Sequence, residues 1–353
     1  MKRFKLYKSS AHCILGFFFI LTTLALLPVQ PVFSCSRIVC ETGNGTYITG
    51  RTMDWIDPKA QTSLWIFPRG MNRTGGDQKN AFKWTSKYGS IVASFYDIAS
   101  ADGMNEKGLV GNVLYLIETD YGDPAGKPTI KVGAWLQYYL DNFASVKEAT
   151  KAMVDPNFAV IAPALPNGME AAVHISLSDP TGDSAIFEFL EGKLVIHHGP
   201  EFNVMTNSPP YDQQLAINHY WEQIGGTRFL PGTIMAADRF VRLSYNLKAS
   251  PKYKDSKLAL ASVFSQIRAI SVPLGMTDES RPNLSMTLWR TVADHEKNIF
   301  YFETATMPAM CWIDLNKVDF AKDQKVKKIA ISTDTDISGE VSALFKPAKP
   351  FKW

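Results

Sequence analysis

Ser36-Arg37-Ile38-Val39-Cys40, then Gly43-Asn44-Gly45, then Thr46-Tyr47-Ile48-Thr49-Gly50-Arg51: these three stretches read as strand, turn and returning strand. Turn residues between two runs rich in β-branched and aromatic side chains mark a hairpin. Arg51 and Asp54 follow the second arm closely and can fold back beside residue 35. The reading therefore places Cys35 at the head of a strand, with a guanidinium and a carboxylate for neighbours.

Upstream of that hairpin lies a targeting pattern. Lys2, Arg3, Lys5 and Lys8 form a basic head, and Cys13 to Leu27 are almost wholly apolar. Pro28 and Pro31 break any helix, and Val32 and Ser34 supply the small-residue spacing that a signal peptidase reads. The apolar run is shorter than the roughly 20 residues of a membrane span. This predicts a signal peptide over 1–34, removed on export to the periplasm or medium, with no stable membrane span afterwards. A retained membrane anchor is the alternative. Residues 35–353 are then one domain, long enough to bury a large core without disulfides.

The formal charge of +3 belongs largely to the leader, which carries four basic groups and no acid. No basic stripe remains, so nucleic acid is excluded as a partner. Beyond the leader stand Cys35, Cys40 and Cys311, an odd number that leaves at least one free thiol. Cys40 and Cys311 can pair, or can serve as small buried hydrophobes.

The rest of the chain alternates blocks. Residues 60 to 100 read as strands and loops, Asp102 to Gly108 as a turn, and Leu109 to Leu116 as a strand. Thr129 to Phe143 has helical spacing, with Val132, Trp135, Leu136, Tyr139 and Leu140 on one face. Ser145 opens another helix, with Glu148 three residues on as a capping box. Residues 171 to 206 return to strands, and Asp212–Gln223, Met235–Leu247 and Leu258–Ile270 read as helices. Strands resume at Met286–Val292 and Ile299–Phe302. This order lacks the regular βαβ alternation of a doubly wound sheet. It predicts an α+β protein, a four-layer αββα sandwich of two antiparallel sheets with helices outside.

A nucleophilic thiol needs a base or a lowered pKa. The histidines after the leader (His174, His197, His198, His219 and His295) stand in no Cys-His protease context. At a processed N-terminus the α-amino group of Cys35 can be its own base, since its reference pKa is about 7.7–8.0. The same cysteine also admits two other readings. Val32-Phe33-Ser34-Cys35 is similar to a lipoprotein cleavage box, which makes the chain an exported lipoprotein or binding protein. Cys35 can also be a bystander near a cleavage point.

Five ordered motifs carry a resemblance. Cys35-Ser36-Arg37 with Gly50-Arg51-Thr52-Met53-Asp54-Trp55 resembles the opening of the choloylglycine hydrolase family. Asp102 to Leu109, Met205-Thr206-Asn207-Ser208-Pro209-Pro210, Leu230 to Thr233 with Asp238-Arg239-Phe240, and Thr287 to Thr304 continue the likeness. That family holds bile salt hydrolases and penicillin V acylases on the αββα sandwich of N-terminal-nucleophile hydrolases. The resemblance implies Cys35 as nucleophile, with Arg51 and Asp54 against it. It implies Asn207 as an oxyanion donor and Arg239 as a further site residue. Tyr115 falls where bile salt hydrolases carry a second Asn and where penicillin V acylases resemble this chain, which implies that its side chain or the local backbone amide completes the oxyanion hole. With the segment from Leu230 to Arg239, it tilts the likeness to the Gram-negative branch, whose members cleave penicillin V or N-acyl homoserine lactones. Conjugated bile salts are the runner-up substrate. The likeness also implies a homotetramer.

Trp55, Trp65 and Trp84 can line an acyl pocket or serve the core. A neutral amide such as Asn207 suits a developing oxyanion, though Asn is also ordinary in a turn. Arg51 with Asp54 can be a surface ion pair, and Arg239 can pair with Asp238 on its helix. No zinc-ligand spacing, EF-hand or phosphate-cradling loop is present, so no metal or cofactor is expected. The expected partner is a small N-acyl amide.

Overall fold

Both arms of the opening hairpin are buried. Strand β1 (Ser36–Glu41) pairs antiparallel with β2 (Tyr47–Trp55), Ser36 opposite Thr52 and Ile38 opposite Gly50. Gly45 takes φ +73° in the turn, a conformation that costs glycine little. At Gly50 a Cβ would stand 2.8 Å from Val263, so glycine is what lets a helix lie close on the sheet. The second arm runs longer than its sequence pattern suggests. Arg51 and Asp54 lie inside β2, because β2 also pairs with a late strand on its far side.

The structure is a computed structural model, described here over residues 34–353 except 167, 226–228, 277–284, 308 and 333–335. Apart from Ser34, the expected leader lies outside the described residues. No helix among the described residues is long and apolar enough to cross a membrane.

In chain order the main strands continue as β3 (Thr62–Phe67), β4 (Ser90–Phe95), β5 (Ala99–Asn105), β6 (Val110–Tyr115), β7 (Val173–Ser178), β8 (Ser184–Leu190), β9 (Lys193–His198) and β10 (Val204–Met205). They end with β11 (Met286–Asp294), β12 (Ile299–Thr304), β13 (Met310–Asp314) and β14 (Lys327–Ile331). The helices are α1 (Val132–Asn142), α2 (Val146–Ala152), α3 (Tyr211–Ile224), α4 (Ala236–Ala249) and α5 (Ser256–Ala269). One sheet runs β10-β1-β2-β11-β12-β13 and ends on Gly339–Glu340. The other runs β9-β8-β7-β6-β5-β4-β3-β14 and ends on Lys346–Pro347.

Strand β3 shows why these strands read as continuous apolar runs. Leu64 and Ile66 point into the core between the sheets, whereas Trp65 and Phe67 point into a second core with Trp135, Leu136 and Tyr139 of α1. Both faces of the strand are covered, so alternation of polarity is lost. Helices α4 and α5 cover the first sheet through Phe240, Leu243, Val263 and Ile267. The result is the four-layer αββα sandwich.

Two sequence readings need correction. Thr129–Lys131 are not helical but pair in parallel with Ala159–Ile161, so α1 starts at Val132. Asp102 to Asn105 are strand, and the turn is confined to the residues around Glu106–Gly108. Half of the predicted capping box forms: Glu148 N–H donates to Ser145 Oγ at 3.2 Å, whereas the Glu148 carboxylate accepts the Ala144 N–H at 2.8 Å, one residue before the cap. Cys40 and Cys311 do not pair; both are buried free thiols.

Candidate active site

Cys35 lies at the mouth of β1, between the two sheets, and is 3% exposed. Its Sγ accepts the Asp54 N–H at 3.3 Å and sits 3.4 Å from the Asp54 carbonyl. Arg51 Nη2 stands 3.9 Å from the sulfur. The hairpin register thus performs the folding back that the sequence predicts. Opposite Asp54, β11 shifts register between Thr287 and Trp289, an irregularity of the kind that re-aims side chains beside active sites.

Arg51 crosses the gap between the sheets. Its Nη2 donates to the Val113 carbonyl at 2.8 Å, and its guanidinium lies 4.5 Å above the Trp289 ring. Nη1 is 3.8 Å from Asp102 Oδ2, which also accepts Asn112 Nδ2 and Thr291 Oγ1, each at 2.9 Å. This fully buried arrangement rules out the surface ion pair.

Arg239 reaches Cys35 from α4. It donates to the Cys35 carbonyl at 2.7 Å, to Ser36 Oγ, to the Ile234 carbonyl at 2.9 Å and to Asn207 Oδ1 at 3.1 Å. It is not spent on Asp238, whose carboxylate instead accepts from Thr233. Because a guanidinium can only donate, it fixes which end of the Asn207 amide is oxygen. The Nδ2 end must therefore face away, and it donates to the Tyr115 carbonyl at 2.7 Å.

Burial sets the electrostatics. It pushes the Cys35 thiol up, and Arg51 opposes that. Burial also lifts Asp54 to about 6 against the pull of Arg239, and Asp102 to about 6 against Arg51. Burial lowers Arg239 to about 10, opposed by Asp54 and Cys35. Asp54 Oδ2 accepts from Thr52 at 3.2 Å. Its Oδ1 is buried with no hydrogen-bond partner among the described residues.

An apolar cavity of about 70 Å³ opens beside the sulfur, walled by Met53, Trp55, Phe95, Tyr115, Leu165 and Val173. Trp55 lies on it; Trp84 does not. Trp84 packs in the outer core and donates to Asp141 Oδ2 at 2.7 Å, and Trp65 belongs to that same core. An indole with a buried carboxylate partner serves structure, and its sequence gave no sign of that partner.

Sequence reasoning missed Gln214. It is fully buried at the start of α3; its Nε2 donates to the Asn207 carbonyl and, at 2.6 Å, to the Pro209 carbonyl, while its Oε1 accepts Thr206 Oγ1 at 2.8 Å. Among the described residues no group of three or more His, Cys, Asp and Glu side chains is placed to hold a metal ion.

The arrangement is a thiol beside an apolar cavity, flanked by two guanidiniums, a carboxylate and an oriented amide donor. That chemistry suits acyl transfer. A family profile described as linear amide C–N hydrolases, choloylglycine hydrolase family, matches residues 35–330. A penicillin V acylase of Pectobacterium atrosepticum is 44% identical, over 91% of this chain and 92% of its own. A bile salt hydrolase/transferase of Clostridium perfringens is 28% identical over 80% of this chain and 93% of its own. The solved penicillin V acylase of Agrobacterium tumefaciens superposes with TM-score 0.83 at 48% identity, covering 90% of this chain and 99% of that one. The chain belongs to the choloylglycine hydrolase family and is a hydrolase of linear carbon–nitrogen amide bonds.

Proposed function

We propose that this hydrolase is a penicillin V acylase-like amidase whose nucleophile is Cys35, freed as the first residue by removal of residues 1–34 on export. The observation that carries the reading is the Cys35 sulfur on the Asp54 amide beside Arg51, with its own carbonyl held by Arg239. The Cys35 α-amine takes the thiol proton as sulfur attacks the amide carbonyl. Asn207 Nδ2 leaves Tyr115 to meet the oxyanion. The α-ammonium then protonates the departing amine, leaving a thioester. Water, deprotonated by the same amine, releases the acid and restores the thiol. Asp54 Oδ1 serves as acceptor for the α-ammonium.

The similarity to two penicillin V acylases and the apolar cavity favour penicillin V-like amides, with N-acyl homoserine lactones second. The test is amine release by residues 35–353 from penicillin V, penicillin G, glycocholate, taurocholate and a long-chain acyl homoserine lactone. Preferred cleavage of a bile salt overturns the substrate assignment. Light scattering checks the homotetramer that the family likeness implies.

Gln214→Glu keeps the volume but turns the donor end into an acceptor facing two carbonyls. We expect kcat to fall about 10- to 100-fold with KM nearly constant, against about 10²–10³ for Asn207→Ala, which removes the donor itself. Steady-state kinetics decides; wild-type kcat in Gln214→Glu refutes the clamp.

Activity should depend on Asp54 as pH falls. Burial raises the Asp54 carboxyl above its ordinary value, and its protonation removes the charge that faces the α-ammonium, so kcat/KM declines on the acid side. Stability runs the other way. In the chain that still carries Ser34, the native carboxyl binds its proton more tightly than its ordinary value of 3.8 allows, so the native state gains a proton first as pH falls from about 6 to about 4 and is stabilised over that window. Thermal midpoints of wild type and Asp54→Asn against pH should differ in that slope; parallel curves reject it.

A further inference from the structure

The turn Phe95-Tyr96-Asp97-Ile98 joins β4 to β5 with positive φ at both central residues, +53° at Tyr96 and +51° at Asp97. Ile98 N–H closes it on the Phe95 carbonyl at 3.1 Å. Hairpin turns of this shape ordinarily carry Asn-Gly or Asp-Gly. A bulky aromatic there is an outlier, and such outliers survive only where their surroundings over-determine them, as at ligand clamps.

The surroundings do so here. The Asp97 carboxylate accepts from Trp65 Nε1 at 3.1 Å, Ser63 Oγ at 3.0 Å, Lys328 Nζ at 3.3 Å and Ser94 Oγ. Tyr96, held in this posture, grips the segment that follows β2 at two points. Its N–H donates to the Gln61 carbonyl at 2.7 Å, and its hydroxyl donates to Asp57 Oδ2 at 2.8 Å. The same hydroxyl accepts Trp55 Nε1 at 3.2 Å. Asp57 in turn fixes its own loop by accepting the Lys59 N–H at 2.9 Å. Trp55 is the cavity wall next to Cys35, packed edge-on against Phe95 at 5.0 Å between ring centres.

The cavity of about 70 Å³ is small for an acyl group. An apolar hole that accepts benzene measures about 150 Å³. The cavity is open on one side, so an aromatic or long acyl group seated fully between these walls displaces one of them, and the wall tethered through Tyr96 is the Trp55 indole. We infer that Tyr96 is a specificity-determining positioning residue: through its hydroxyl bridge from Trp55 to Asp57 it limits the size of the acyl group the enzyme accepts. The inference rests on the reading of Cys35 as nucleophile and of the cavity as the acyl site.

The test uses the processed enzyme and a series of N-acyl-6-aminopenicillanic acids, from butanoyl to dodecanoyl, so that only the acyl group varies. Tyr96→Phe removes one hydroxyl and keeps the ring; Asp57→Ala releases the same bridge from its other end. In both, the ratio of kcat/KM for decanoyl over hexanoyl should rise about tenfold or more, carried by KM, with kcat on hexanoyl within about threefold of wild type. Circular dichroism melting curves establish that each variant is folded. A ratio unchanged in both folded variants overturns the inference, as does a common loss of kcat across the whole series. If the wild type releases amine from no member, the acyl-site reading fails first and the inference goes with it.

Discussion

Cys35→Ala is expected to lower kcat by about 10⁴-fold or more, with an unaltered melting transition. The loss is large because no other group described around the sulfur can replace it. Among the described residues, the hydrogen-bonding contacts of the sulfur are the side chains of Arg51 and Met53 and the main-chain atoms of Asp54. No imidazole is among them, so no alternative base–nucleophile pair stands ready. Cys35→Ala is also a small change in volume at a site already 97% buried, which separates chemistry from folding. Mass spectrometry of the wild type with a slow amide should trap an acyl group on the peptide that begins at Cys35. A protein that retains Ser34 blocks the α-amine and should be as inactive as the alanine variant. Substantial turnover by either protein ends the assignment of the nucleophile.

Arg239→Ala comes next, with an expected loss of about 10³-fold in kcat/KM and about 3–5 kcal/mol in stability. The two effects share one cause. The guanidinium holds the Cys35 carbonyl, orients the Asn207 amide and offsets the buried Asp54. Its removal lets the amide rotate, so the donor no longer aims at one place. It also leaves a buried carboxylate with less compensation, which costs far more than a lost surface pair. Chemical denaturation measures the second effect and steady-state kinetics the first. Arg239→Lys keeps the charge without the fork, so it should recover stability more than rate. A fully active, fully stable alanine variant contradicts both roles.

Local sequence carried the opening of the site. Cys35, Arg51 and Asp54 sit on one hairpin, where turn residues and β-branched runs fix the register within a few positions. Residues joined across the fold were less legible. Asp102 reads as part of a turn, and only the stacking of two sheets brings it to Arg51. Gln214 reads as one polar residue of a helix, and its purpose appears only with the main chain of Asn207 and Pro209 in place. Trp84 shows the opposite failure. Any tryptophan near a candidate site suits a pocket, and only the buried Asp141 beneath it shows that this one serves the outer core. The bridge through Tyr96 had no sequence signal, since Tyr-Asp is not a pair expected in a tight turn.

The grip of Arg239 on the Cys35 carbonyl joins residues separated by 204 positions. Under the proposed removal of residues 1–34 on export, the chain would carry its thiol and amine before α4 has docked. During that interval the sulfur lacks its oriented amide, its carbonyl anchor and its apolar walls. Catalytic power therefore requires α4 to be docked on the first sheet. Turnover itself then reports completed assembly: recovery of activity on refolding should lag behind recovery of secondary structure and keep pace with the docking of α4.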